Sequence, residues 1–199
     1  MRFMLPLIMC VLLTSCVTPV YVPDNNAQRI TKSNITRLER ISVDSPSWDL
    51  AMDVAVLVGT DEKKVGFVAL APVAINRTTL REVDYSLIRT LDLEQSKELL
   101  RMVIYAIEKY DDKIGDNESI NVSFQSALQS DYYEFYGNQL APFVSQRMIF
   151  TFANVGPRSE AKIAFCGPPS ARSTSFLNMN KLVQFRLLLE KAISKINAE

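Results

Sequence analysis

Two aspartates, three cysteines and a run of aromatic residues are the groups in this chain whose chemistry could serve a reaction or a ligand. What is missing narrows their use first, because the 199 residues include no histidine. Ser-His-Asp triads, Cys-His dyads and histidine-ligated zinc or iron sites all need an imidazole that titrates near neutrality or coordinates through nitrogen. None can be built here. Carboxylate pairs and Ser-Lys dyads need no histidine and stay open. Asp84 and Asp92 are the candidate pair, and a pair of this kind requires two carboxyl groups facing across a cleft roughly 5 to 10 Å apart. With six glycines and neither G-x-G-x-x-G nor a G-x-x-x-x-G-K run, the chain offers no backbone cradle for phosphates.

Two local clusters suit binding better than catalysis. Tyr132-Tyr133-Glu134-Phe135-Tyr136 precedes Gly137-Asn138 in a stretch read as a loop between strands. Amphipathic rings there bury area at small entropic cost while offering hydroxyls, so Tyr132, Tyr133, Phe135 and Tyr136 are candidate contacts for a sugar, a peptide or a protein. The same rings would equally serve to cap the open end of a core. The acidic turn Asp111 to Glu118 departs from the spacing of an EF-hand loop and reads as a solvated helix end, so no metal or cofactor is expected. Cys166 closes the apolar segment Ala161 to Cys166 and is expected as a buried, inert thiol at a strand end. Arg81, Glu82 and Arg89 read as an ordinary charged face.

The N-terminus carries a different kind of signal. Arg2 precedes Phe3 to Leu13, eleven uncharged and mostly apolar residues. As a helix that run reaches about 16 Å against a hydrocarbon core of about 30 Å, too short to span comfortably. Small Thr14 and Ser15 then lead to Cys16, the pattern of a processed leader. Leu13-Thr14-Ser15-Cys16 resembles the lipobox of bacterial lipoprotein precursors. The resemblance covers residues 1–16 only. It implies cleavage between Ser15 and Cys16, a diacylglycerol thioether on the Cys16 sulfur and an acylated new N-terminus. Several acyl chains, each buried CH₂ contributing about 0.8 kcal/mol, hold a protein durably on a membrane surface. Val17 stands where an aspartate commonly signals inner-membrane retention, so the resemblance implies the outer membrane in a double-membraned organism. On this reading Cys166 is the only free thiol of the mature chain, and the fold must hold by packing.

About 184 mature residues (199 less the 15 of the leader), close to half of the full chain apolar, suffice for one sizeable core. Equal numbers of acidic and basic residues give a formal charge of zero, and loss of Arg2 leaves minus one. No global field favours nucleic acid or an anionic bilayer. The organisation expected is a leader over 1–15, a tether and mixed linker over 16–47, with Pro19 and Pro23 favouring extended chain, and a single domain over 48–199. Within the linker, Ile35, Leu38, Ile41 and Val43 could place a short strand or helix against the core, and Trp48 is expected to anchor its edge.

The elements needed to position these groups follow from periodicity. Val54 to Val58 and Val65 to Leu70 are apolar, β-branched runs around a polar stretch, read as a hairpin buried on both faces. Thr79 to Leu91 fits neither period and adds at most an edge strand. Asp92 with Gln95 caps a helix whose Leu99, Leu100, Val103, Ile104 and Ile107 make one apolar face. Ile120, Val122, Phe124 and Leu128 alternate with polar residues, as do Met148, Phe150 and Phe152, and Gly156-Pro157 turns the chain into Ile163 and Phe165. A last helix runs from about Asn178 to Asn197. The order ββαβββα predicts an α+β fold with one antiparallel sheet of about five strands and two helices on one face.

The leading functional expectation is a noncatalytic binding or assembly module of the bacterial cell envelope, anchored through lipid at Cys16, with an envelope protein as partner and no nucleic acid. A lipoprotein that presents a sugar, peptide or small molecule is the alternative and would need a concave pocket. A histidine-free hydrolase built on Asp84 and Asp92 ranks last.

Overall fold

A computed structural model describes residues 20–21, 35–42, 53–75, 81–84, 87–114, 118–126, 147–155, 158–166 and 173–198. In chain order the elements are β1 (Val20–Tyr21), β2 (Ile35–Arg40), β3 (Val54–Asp61), β4 (Gly66–Ile75), β5 (Arg81–Val83), β6 (Arg89–Leu91), α1 (Leu93–Lys109), β7 (Ser119–Gln125), β8 (Arg147–Val155), β9 (Arg158–Cys166), β10 (Ser173–Leu177) and α2 (Met179–Ala198). Trp48 lies outside the described residues.

The valine-rich runs form the expected hairpin, β3 antiparallel to β4 from Val54 opposite Pro72 to Thr60 opposite Gly66. Asp61 shapes its turn, because Oδ1 accepts from the backbone N–H groups of Lys63 at 2.9 Å and Val65 at 2.8 Å. Both faces are covered. Val54, Val56, Val58, Val68 and Leu70 enter the main core, while Ala55, Leu57, Phe67, Ala69 and Ala71 form a smaller cluster with Ile88. Phe67 lies tight against Gly59: a Cβ added there would meet its Cζ at 2.5 Å and the Arg37 carbonyl oxygen at 2.6 Å.

On one side of this hairpin β2 pairs antiparallel with β3, with a register shift between Ile35 and Arg37. The Thr36 hydroxyl donates to the Thr60 carbonyl at 3.0 Å across that irregularity. Ile41, just beyond the strand, is buried in the main core. The C-terminal half of α2 clasps the same strand, Lys191 Nζ donating to the Ser42 carbonyl at 2.9 Å and Lys195 pairing with Glu39. Residues 35–42, expected in the linker, therefore belong to the folded unit. Their burial pattern follows no clean alternation, which is why periodicity alone left strand and helix open.

On its other side β4 is long enough to pair with two strands in succession, β5 along Val73 to Ile75 and β6 along Val68 to Leu70. Between them the Asp84 N–H donates to the Pro72 carbonyl at 2.8 Å, and Leu87 turns back onto Asp84. The ambiguous stretch Thr79 to Leu91 thus holds a strand broken in the middle, so its apolar residues change phase.

The second sheet is antiparallel in the order β7-β8-β9-β10, with β1 added in parallel at the β7 edge. Val122, Phe124, Met148, Phe150, Phe152, Ala161, Ile163 and Phe165 face the same main core as both helices. The single sheet of about five strands is therefore corrected to two antiparallel sheets, and the order ββαβββα becomes ββββββαββββα, with β1, β2, β5 and β6 added ahead of the first helix and β10 before the last. β10 escaped notice because Ser-Thr-Ser-Phe-Leu buries only Ser175 and Leu177. The α+β class and the two helices stand as read.

Both helices start and stop where their caps dictate. Asp92 accepts the Gln95 N–H at 2.8 Å, and α1 ends at Tyr110, close to the acidic turn. Beyond it Asn154, buried on β8, donates from Nδ2 to the carbonyls of Lys109 at 2.8 Å and Asp112 at 3.0 Å, satisfying groups a helix end leaves open. Asn178 caps α2 through the Lys181 N–H at 2.9 Å. Lys181 also reaches Asp53 at the start of β3, 2.7 Å away, and the Asp53 carbonyl accepts from the Val73 N–H and the Ser175 hydroxyl. The two sheets and α2 meet at that residue.

Gly59→Ala should destabilise the domain by about 2 kcal/mol through overpacking. A Cβ at Gly66 would meet the side chain of Ile196, its Cγ2 at 2.7 Å, and no backbone atom among its nearest neighbours, so Gly66→Ala should cost clearly less; urea midpoints of the two variants check the order. Lys195, then Arg37, hold the Glu39 carboxyl below the ordinary glutamate range. A lowered folded value means that the stabilisation is complete above the unfolded pKa and is lost as pH falls through the folded one. Protection of the β2 amides in hydrogen exchange, corrected for intrinsic rates, should fall across that acidic window, and Glu39→Gln should remove the pH dependence.

Candidate binding surface

The residues singled out for binding or modification, Cys16, Tyr132, Tyr133, Phe135 and Tyr136, lie outside the described residues. The structure does describe where the aromatic segment leaves and returns. Ser126 follows β7 and Arg147 opens β8, and the two ends are locked together: the Ser126 N–H donates to the Met148 carbonyl and the Met148 N–H to the Ser126 hydroxyl, each at 2.9 Å. Arg147 donates to the Gln125 side chain at 2.6 Å. The described residues on either side of 127–146 therefore meet at one corner of the second sheet.

Two further groups of interest sit at that corner. Arg89, expected on a charged face, is 1% exposed and donates to the Ile88 carbonyl at 2.7 Å and the Cys166 carbonyl at 2.9 Å. Its position in β6, with Leu91 buried beside it, draws the side chain inward; its carbonyl partners make a buried charge tolerable. Cys166 pairs with Arg147 across β8 and β9. It ends its strand as expected but is half-buried rather than fully buried, because its parity places it on the open side of the sheet.

The catalytic candidates are accounted for by structure. Both carboxylate oxygens of Asp92 are engaged, Oδ1 by the Gln95 N–H and Oδ2 by the Gln95 side chain, each at 2.8 Å. Both bonds run from Gln95 to Asp92, which makes the aspartate a helix N-cap. Asp84 stands at the break between β5 and β6 beside Pro72 of β4, whereas Asp92 follows Leu91, which pairs with Val68 at the other end of that strand segment. Ser159 and Lys162 have the S-x-x-K spacing of a Ser-Lys dyad, yet they lie on strand β9, where residues three apart point to opposite faces. Ser159 donates to the Tyr110 carbonyl, whereas Lys162 pairs with Glu160. In the acidic turn Asp112 is occupied by Lys109 at 2.8 Å, an interaction that raises the lysine pKa. Among the described residues no three carboxylate or thiol groups gather where a metal could be held.

What remains is a surface. The outward face of β7 to β10 is organised in cross-strand rows read from the register: Gln125, Ile149, Ala164 and Thr174; then Ser123, Thr151, Lys162 and Phe176; then Asn121, Ala153 and Glu160. Most of these side chains are half-buried or exposed, and Phe176 is 58% exposed. Small, hydroxyl and aliphatic residues outnumber charges, so the face has few charges to dehydrate. Sequence reasoning missed it because Phe176 lies on the strand that was not recognised.

The chain matches no protein-family model, and no curated protein is significantly similar to it in sequence.

Asp92→Ala should lower stability by about 1 kcal/mol, the ordinary value of a lost N-cap. Urea denaturation checks this, and loss of the α1 cap should appear as reduced protection of the Gln95 and Ser96 amides.

Proposed function

We propose that this chain is a lipid-anchored protein of the bacterial cell envelope that works as a noncatalytic binding or assembly module. The observation that carries the proposal is Leu13-Thr14-Ser15-Cys16 after Arg2 and eleven uncharged residues too short to span a bilayer. Lipid on Cys16 fixes the protein at a membrane, and Val17 directs it to the outer membrane where there are two. The open face of β7 to β10 supports the second half of the reading. A partner protein that covers Ile149, Ala164, Thr174 and Phe176 would bury an exposed aromatic on the edge strand of a surface with few charges, in keeping with the aromatic enrichment of interfaces. Asp92, one of the two carboxylates that such a hydrolase would need, is engaged in a helix cap.

In bacterial cells the wild-type chain should fractionate with membranes and Cys16→Ala should not. In-cell crosslinking should recover an envelope protein. Phe176→Asp, at an exposed site where the stability change should stay within about 0.5 kcal/mol, should reduce that recovery strongly. Membrane fractionation of Cys16→Ala as an acylated protein would refute the anchor; undiminished crosslinking by a folded Phe176→Asp would refute the surface.

A further inference from the structure

The parallel pairing of β1 with β7 says how the domain stands on its membrane. Val20 lies opposite Ser123 and Tyr21 opposite Phe124, so the chain is already fixed to the sheet edge at Val20. Cys16 precedes Val20 by four residues, and extended chain spans at most about 3.6 Å per residue, so the Cα atoms of Cys16 and Val20 are at most about 14 Å apart. The extended, proline-containing stretch expected to space the domain from the membrane is therefore tied down almost at once.

Strand direction decides the side from which the chain enters the sheet. Because β1 and β7 run parallel, the chain enters β1 from the Ser119 end of β7. From Ser123 back to Ser119 is four residues, about 13 Å at a strand's rise. The reach from Val20 to Cys16 thus matches the distance to that end of the sheet. Ser119 pairs with Val155, and Val155 with Arg158, so the same end carries the β8 to β9 hairpin one and two strands away. The turn after α1 is fastened there too, through Asn154 to the Lys109 and Asp112 carbonyls and through Ser159 to the Tyr110 carbonyl.

We propose that this end of the domain, with Val155, Arg158 and Lys113 at its surface, rests on the lipid headgroups. The proposal depends on lipid at Cys16. Val155 is 54% exposed, among the most exposed large apolar side chains described, and Arg158 and Lys113 are exposed beside it. An aliphatic side chain flanked by long cations suits an interface, where the apolar part enters the acyl boundary and the charges stay among headgroups. Asp111 and Glu118 balance those cations in sign, so it is the length of the link and not a charge field that sets the orientation. The open face of β7 to β10 then stands upright from the membrane, with Thr174 six residues along the strands from the Val155 row, about 20 Å away.

The test uses lipidated protein carrying Cys166→Ser, reconstituted on phosphatidylcholine vesicles, with an environment-sensitive fluorophore on Val155→Cys, Arg158→Cys or Thr174→Cys. The labels at 155 and 158 should be several-fold less accessible to iodide than the label at 174. Inserting ten Gly/Ser residues between Val17 and Thr18 should abolish the difference, because a flexible link of that length adds roughly 17 Å of reach. Equal accessibility at all three positions in protein that floats with the vesicles would overturn the orientation and leave the anchor intact. Failure to float would overturn the anchor, and the orientation with it.

Discussion

Burial of the β3–β4 hairpin on both faces is the constraint on which the rest of the structure depends. A strand covered on one side needs one partner layer, but Val54 to Val58 and Phe67 to Ala71 need two. The valines of one face are covered by the helices and by the inward side of the second sheet, which draws distant parts of the chain into a single core. The alanines, Leu57 and Phe67 of the other face pack so closely that position 59 tolerates no side chain. With one free thiol among the described residues, that packing has no covalent support there, and polar groups are placed where they tie elements together. Asp53 joins β3, β4, β10 and α2. Asn154 joins α1 to β8.

The legible parts of the fold were those in which one face is dry and the other wet. Phe150 and Phe152 alternate cleanly with Thr151 and Ala153, and Leu99 and Val103 recur at helical spacing, so β8 and α1 follow from residue order, although the buried face of α1 centres on Leu99, Met102, Val103 and Ala106 and leaves Leu100, Ile104 and Ile107 half-buried. Asp92 and Gln95 announce the start of α1, and Asp92 caps it, although the Gln95 side chain bonds the Asp92 carboxylate and not its backbone N–H. Edge elements were opaque for a physical reason. β10 buries two of its five residues, β2 carries a register shift, and β5 and β6 are two halves of a strand interrupted at Asp84. Each owes its place to a neighbour and not to its own pattern. The same holds for Arg89, a charge that only tertiary placement could show to be buried.

The candidate surface was less legible than the core. Its rows combine residues from four strands, and no single strand is unusual; the low charge of the face appears only when Ile149, Ala164 and Phe176 are brought together by register. The reverse is true of the catalytic candidates. Asp84 and Asp92 stand out in the sequence, and their places at a strand break and in a helix cap are visible only in three dimensions; the Ser159–Lys162 spacing was passed over in the sequence and lies on opposite faces of β9. Spacing licenses chemistry only when it is read against the period of the element that carries it.

Anchor and fold meet at the first strand. A lipid on Cys16 would lie four residues from a strand already hydrogen-bonded to β7, so membrane, link and binding face would form one rigidly oriented unit rather than a domain on a long leash. That account rests on one covalent event. The most direct measurement is the mass of the N-terminal peptide of the protein purified from bacterial membranes. The account requires a peptide that begins at Cys16 and carries a diacylglyceryl thioether; a peptide that retains Met1 to Ser15, or begins at an unmodified cysteine, would contradict it.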